Sequence, residues 1–293
     1  MLRINFDFIF GKFKAVCKLV VHNDDPLEFL LKKSFELGVF DGVLTADING
    51  NPALFSSPEN LTVSKTSFFG VNSYLKKAIQ KFRFSKLCVV GPSCILDGVN
   101  KTQYYGIGCN WVKTAVALKV GIVCVGAPVG EGNEIEILDL TGEKSKILEY
   151  RFAPSGFKAL TEKGEVKIPL NVHHSYVNSA CRYCFNLSAK GADISYVRTG
   201  EKCGILLVRS ERGWETLRIV QGSFPQECSV ELVGEEGISY LEGILREKLL
   251  LNVDSALQRF EAGFPEPKWN SNRFAKFYRI WNTLEDSNIE EVF

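Results

Sequence analysis

Cys181 and Cys184 stand three apart in "SACRYCFNLSAKGADIS", residues 179–195. A Cys-x-x-Cys aims two sulfurs at one centre from a single turn. It can serve as a redox dithiol, as half of a tetrahedral zinc site, as half of the ligand set of a four-iron cubane cluster, or as two inert thiols. Spacing alone does not separate zinc from iron, and either metal needs two further ligands. The chain carries nine cysteines. In a reducing compartment disulfides are rare, so metal ligation and redox chemistry gain weight. Cys94 comes just after the apolar strand 86–91 in "VVGPSC", and Cys124 closes the strand 118–125 in "VGIVCVG". In an open α/β sheet ligands collect outside the carboxyl ends of strands, so Cys94, Cys124, Cys181 and Cys184 form a candidate set of four thiolates. Cys88 (mid-strand) and Cys17 (in an apolar run) are expected in the core. His173 and His174 read as a partly exposed loop pair upstream of the motif.

The elements that would position these residues follow from periodicity. "DPLEFLLKKSFELG" (25–38) has the apolar spacing of an amphipathic helix and ends on Gly38. "VFDGVLTAD" follows as a strand, 72–82 as a second amphipathic helix, then 86–91 and 116–128 as buried strands closed by Gly and Pro. The opening "MLRINFDFIFGKFK" alternates like a strand. Between 134 and 222 the short runs "EIEILDL", "KILEYRF", "EVKIPL", "ADISYV", "GILLVRS" and "TLRIV" predict further strands with mixed or antiparallel pairing. From 239 the pattern is helical. In "NRFAKFYRIWNTL" the aromatics Phe274, Phe277, Tyr278 and Trp281 fall at helical spacing, which predicts a docked helix rather than an RNA-binding tail.

The expected fold is therefore α/β, with a mixed, partly parallel sheet flanked by helices and a helical C-terminal extension. The expected parts are residues 1–82, an N-terminal α/β part; 83–222, carrying the cysteine motifs; and 223–293, mostly helical.

Composition narrows the function. The hydrophobic share of 45% and charged share of 24% are those of a globular protein. A net charge of +1 supplies no attraction to nucleic acid or to an anionic membrane. No run reaches the roughly 18 apolar residues that span a bilayer, and the opening lacks a secretory cleavage pattern, so a cytoplasmic location is expected. There is no phosphate-binding G-x-x-x-x-G-K-[ST] loop and no G-x-S-x-G elbow. "GAPVGEGN" (126–133) reads as a turn.

The chain resembles the beta subunits of coenzyme F420 (8-hydroxy-5-deazaflavin) hydrogenases and dehydrogenases. The resemblance runs in order through roughly two-thirds of the sequence: "LEFLLKKSFELGVFDGV" (27–43), "PENLTVSKTSFF" (58–69), "VVGPSC" (89–94), "KVGIVC" (119–124) and "CRYCFNLSAKGADIS" (181–195). It implies an iron–sulfur flavoprotein oxidoreductase subunit that passes electrons between reduced coenzyme F420 and a partner redox protein, another redox subunit or a ferredoxin-like protein, through FAD and a [4Fe–4S] cluster. By position, Cys94, Cys124, Cys181 and Cys184 become the cluster ligands, and Ser64, Lys65, Asp193 and Ser195 the flavin neighbourhood. A deazaflavin gives up two electrons as hydride and a cluster accepts one, so a flavin must stand between them.

The sequence also departs from the family. A Gly-Gly turn before the first long helix is replaced by "VHNDDPLEF" (21–29), where Asp24 and Asp25 would repel a phosphate. Asn186 stands where the family has Asp after the cysteine pair. The altered 21–29 loop and the irregular stretch "SYVRTGEKCG" after Asp-Ile support an alternative, a non-catalytic binding or scaffold subunit with or without a metal centre.

Overall fold

The computed structural model describes residues 6–66, 68, 70–105, 110–128, 136–138 and 144–263. Its first element corrects the sequence reading. Residues expected as a strand form a short helix, α1 (Phe6–Phe10). Phe8, Ile9 and Phe10 are all buried, whereas a strand would send alternate side chains to opposite faces. The Phe6 and Phe10 rings meet at 4.5 Å, as i,i+4 partners do on a helix. Gly11, at φ +67°, then turns the chain into β1 (Ala15–Val21).

The helix read at 25–38 is α2 (Pro26–Glu36). Asp25 caps it, accepting the N–H groups of Leu27 and Glu28 at 3.0 and 3.3 Å, with Pro26 in the first turn and Gly38 at φ +68° past its end. The hairpin β2 (Gly42–Ala46) and β3 (Pro52–Phe55) follows. The segment predicted as the helix 72–82 buries Leu75, Ala78 and Ile79, with Val71 buried just before it. It winds as a 3-10 turn over Val71–Tyr74 and a π-turn over Lys77–Lys81 rather than as one α-helix.

Then come β4 (Leu87–Pro92), α3 (Ser93–Tyr105), α4 (Asn110–Ala115) and β5 (Val116–Ile122). A four-stranded sheet is built from β6 (Glu136–Leu138), β7 (Lys144–Ala153), β8 (Gly156–Thr161) and β9 (Gly164–Lys167). His173 and His174 lie on α5 (Leu170–Tyr176), not in a loop. The chain continues through β10 (Ile194–Arg198), β11 (Cys203–Val208), α6 (Glu211–Ser223), β12 (Cys228–Leu232) and α7 (Ser239–Glu261).

"TLRIV", read as a strand, lies inside α6. Taken over five residues its β-branched side chains suit a sheet. Over thirteen, the buried Gly213, Thr216, Leu217 and Val220 make a helical stripe, started by Ser210 accepting the Gly213 N–H at 3.1 Å. The tail at 272–284, residues 129–133 of the glycine-rich turn and Cys109 lie outside the described residues.

The main sheet runs β12-β1-β11-β10-β5-β4-β2-β3. β2, β4, β5 and β10 are mutually parallel and the other pairings antiparallel. The fold is thus the expected mixed sheet flanked by helices, ending in a C-terminal helix. Strands from all three sequence parts share it. One face is closed by α2 and α6. The other is divided: α3 and α4 cover the β2–β4–β5 side, and α1, α5, α7 and the small sheet cover the β10–β11–β1 side. Cys17 and Cys88 are fully buried, as expected of core residues. Among the described residues no helix is long and apolar enough to cross a membrane.

Candidate functional site

The seam between those two half-layers, at the carboxyl ends of β4 and β5, gathers the cysteines. Cys94 opens α3 immediately after β4, and Cys124 lies two residues past β5. Cys181 sits on a 3-10 turn, Ser179–Tyr183, which Cys184 ends. Asn178 shapes that turn, its side chain accepting the Ala180 N–H at 3.0 Å and its carbonyl the Cys181 N–H at 2.8 Å.

Hydrogen bonds stitch the three segments together. Asn178 N–H donates to Ala127 O at 2.9 Å, Cys124 N–H to Leu187 O at 3.0 Å, and Ala189 N–H to the Ser93 hydroxyl at 3.0 Å. Gly126, at φ +123°, permits a close approach: a Cβ there would lie 2.7 Å from Val177 Cγ1 and 3.3 Å from Cys181 Cβ. Gly121 does the same on β5, where a Cβ would fall 2.3 Å from that of Ala189.

Three of these thiols are raised, by burial first and then by neighbouring cysteines. Burial raises the Cys124 thiol far above its ordinary value, and the charges of Cys181, Cys94 and Cys184 add to this. Cys184 is pushed up to about 12 by burial, then by Cys94 and Cys181. Cys94 has an exposed surface, yet protein atoms crowding its sulfur, followed by Cys181, push it to about 11. Buried thiols that repel each other's negative charge stay protonated unless a positive centre takes them as thiolates. Among the described residues, no group of three or more His, Cys, Asp or Glu is drawn together tightly enough to hold a metal ion. The thiols thus share a neighbourhood without forming the coordination sphere of a single ion. The donor set, four soft sulfurs in one partly buried place, fits a thiolate-bound iron–sulfur centre.

Residues 84–223, which carry all four cysteines, match the family described as the C terminus of the "Coenzyme F420 hydrogenase/dehydrogenase, beta subunit". That match and the likeness to beta subunits of coenzyme F420 hydrogenases, at modest identity over most of the chain, support this family. It is 24% identical over 245 residues to coenzyme F420 hydrogenase subunit beta of Methanococcus voltae, covering 79% of this chain and 86% of that one. It is 25% identical over 253 residues to the corresponding subunit of Methanothermobacter thermautotrophicus, covering 81% and 89%. A chain from a xenon-derivatized F420-reducing [NiFe] hydrogenase complex of Methanosarcina barkeri shares the fold, with a TM-score of 0.70 and 20% identity over 91% of this chain and 100% of that one.

Against this family's pattern, the flavin candidates fall into two pairs. Ser64 is buried, and its N–H bonds Ala46 O at the carboxyl end of β2. Lys65 reaches Glu149 at 3.1 Å and Asp25 at 3.8 Å, and Asp25 is also paired with the buried Arg198 that ends β10. Asp193 precedes β10, roughly 16 Å from Arg198 at strand rise. Its carboxylate accepts the Lys119 N–H at 2.8 Å and the Ser210 hydroxyl at 2.6 Å. Ser195 is fully buried, donating to Ala189 O at 3.1 Å and accepting from Arg209 Nε at 2.7 Å. Asp193 and Ser195 hold the loop after Cys184 in place.

The two departures acquire physical roles. Asp25 caps α2 and is neutralised by Arg198 and Lys65, so it stands as a paired carboxylate at the helix N-terminus. Asn186 donates to both carboxylate oxygens of Asp97, at 3.2 and 3.1 Å, and accepts the Lys190 N–H at 3.1 Å. An Asp there would face a second carboxylate.

Sequence reasoning missed Lys248 and Asn252 on α7. Both are fully buried, and the Asn252 amide donates to Cys184 O. Their signal was readable as two polar side chains inside the apolar stripe Leu241, Leu245, Leu249, Val253, Ala256. His173, expected partly exposed, is buried between Tyr150 and Phe157, with Nε2 3.2 Å from Gly126 O.

Proposed function

We propose that this protein is an iron–sulfur flavoprotein subunit of an F420-linked oxidoreductase, passing electrons between reduced coenzyme F420 and a partner redox protein. Its relatives are named as hydrogenase beta subunits. The observation that carries the reading is the convergence of Cys94, Cys124 and the Cys181–Cys184 turn, from three chain segments, on one seam tied by the Asn178–Ala127, Cys124–Leu187 and Ala189–Ser93 hydrogen bonds. In this reading those four thiolates hold a [4Fe–4S] cluster. A single zinc needs thiolates about 3.8 Å apart, from a Zn–S bond of about 2.3 Å; a cubane, with ligands at its separate corners, accepts them further apart. Bound here, FAD would convert the hydride of reduced F420 into single electrons and the cluster would carry those onward.

The chain's own contribution is positional. The Asn178 turn presents Cys181 and Cys184 together, and the stitched 186–193 loop holds that turn against the Cys94 and Cys124 segments. The Asn252 amide fixes the Cys184 carbonyl. Gly126 lets the Cys124 and Cys181 segments touch. Lys65, partly exposed at the carboxyl end of the parallel strands, is the candidate cation for a flavin phosphate, beside Ser64. Asp193 and Ser195 support the flavin neighbourhood through the loop they brace.

Asp25 favours the second reading, a binding or scaffold subunit. A carboxylate already occupies the N-terminus of α2 and both neighbouring cations, where a phosphate would be received.

Anaerobic purification followed by iron, zinc and flavin analysis separates the readings. About four irons and one flavin per chain are expected, with iron lost on Cys124→Ser or Cys184→Ser and kept on Cys203→Ser. Iron without flavin supports the scaffold reading. Stoichiometric zinc in a colourless protein ends the redox reading.

A further inference from the structure

Lys248 is fully enclosed on α7, a helix whose buried face is otherwise almost entirely apolar. One turn on, Asn252 touches the backbone of Cys184, so the same helix face meets the cysteine turn. The Lys248 amine lies 2.6 Å from His174 Nδ1, and His174 Nε2 lies 2.7 Å from the Ser255 hydroxyl. With the ammonium donating to Nδ1, Nε2 carries the ring proton and donates to Ser255. This neutral chain anchors the amine without supplying a negative charge. Among the described residues no carboxylate pairs with Lys248. Burial presses the Lys248 ammonium down to about 8; the groups that would favour its charge are Cys124, Cys181 and Cys184 once they are thiolates, while Arg182 opposes it. A buried ammonium without a counter-ion is held at a large desolvation cost. The protein keeps this one against sulfurs that are themselves unwilling to ionise together. Each half of the arrangement lacks what the other supplies.

We propose that Lys248 is the built-in counter-charge of the sulfur centre: its ammonium, fixed by His174 and Ser255, favours the more negative, reduced state of the bound cluster and so sets its potential. This rests on the cluster reading above and adds a residue that lies beyond the 84–223 family match. Lys248 acts as a positioning residue, through charge, without ligating metal.

The test compares full-length wild type, Lys248→Met, Lys248→Gln and Lys248→Arg, prepared without oxygen. In iron-loaded protein, a redox titration followed by electron paramagnetic resonance should show a more negative midpoint for the Met and Gln variants. The expected change is at least tenfold in the reduced-to-oxidised ratio at fixed poise, about 59 mV for a one-electron couple. Arg should restore the wild-type midpoint. In iron-free protein, Lys248→Met should unfold at a higher urea concentration than wild type, because an unpaired buried ammonium has been removed. Wild type with four irons whose midpoint is unmoved by Met and Gln overturns this inference and leaves the cluster reading standing. Lys248→Met lowering the urea midpoint of the iron-free protein overturns it too, since that marks a purely structural lysine. Wild type without iron removes the cluster reading itself.

Discussion

Replacing Asn186 with Asp probes how the loop after the cysteine pair is held. The Asn186 amide straddles the Asp97 carboxylate at 3.1 and 3.2 Å, and its own oxygen accepts the Lys190 N–H. Asp keeps the last bond and loses the first two. A hydrogen bond to an ionised group contributes about 1.5–3 kcal/mol. Two like charges about 4 Å apart interact by about 4 kcal/mol at an effective dielectric of 20, and partial exposure of both side chains reduces this. The expected net loss for Asn186→Asp is about 2–4 kcal/mol. Asp97→Asn alone removes one side of the charge-assisted bond and should cost about 1 kcal/mol. The two together restore an amide–carboxylate pair with its polarity reversed, so the double variant should recover most of the loss. Urea unfolding of the metal-free, reduced protein at constant slope gives the three differences and their coupling. An unchanged midpoint for Asn186→Asp, or a double variant no better than the sum of its parts, would refute the reasoning.

Three further outcomes are expected. Gly126→Ala should cost about 2–4 kcal/mol, from a positive φ that L-residues avoid and a Cβ 2.7 Å from Val177; urea midpoints measure the loss, and an iron assay should show weaker retention. Arg198→Met leaves the buried Asp25 carboxylate with only Lys65, at 3.8 Å, and should cost about 3 kcal/mol, largely recovered by adding Asp25→Asn, which keeps the helix cap; thermal unfolding of the four proteins checks the cycle. Burial first, then the Lys248 charge, hold His173 down to about 3, so the unfolded chain takes up this proton near pH 6.5 and the folded one refuses it until about pH 3. Stability should therefore fall by roughly 1.4 kcal/mol per pH unit from this group as pH drops from 6.5 toward 3, and His173→Gln should flatten that slope in urea titrations between pH 4 and 6.

Much of the architecture was legible locally. The α2 helix announced itself through Asp25, Pro26, its leucines and Gly38, because capping and apolar spacing are properties of consecutive residues. The buried strands β4, β5 and β10 did so for the same reason, and the position of Cys94 and Cys124 near strand ends followed from them. Local reading failed where the decisive partner was distant. Phe6–Phe10 was mistaken for a strand, since alternation over a few residues does not reveal that three adjacent side chains are all buried. "TLRIV" was mistaken for another, since its cap, Ser210, lies outside the run. The His173 cavity is made by Tyr150 and Phe157 of the small sheet, so nothing adjacent in sequence marks it as buried.

The amino-acid sequence by itself determined which donors exist: four cysteines near strand ends and on one tight turn, and a charge balance that gives no pull toward nucleic acid. Only the tertiary structure decided which charges share a low-dielectric space, bringing Asp25 to Arg198, Asn186 to Asp97 and Lys248 to the thiols. Burial and Coulomb interaction depend on distance in space, and residues tens of positions apart along a chain carry no local mark of being neighbours.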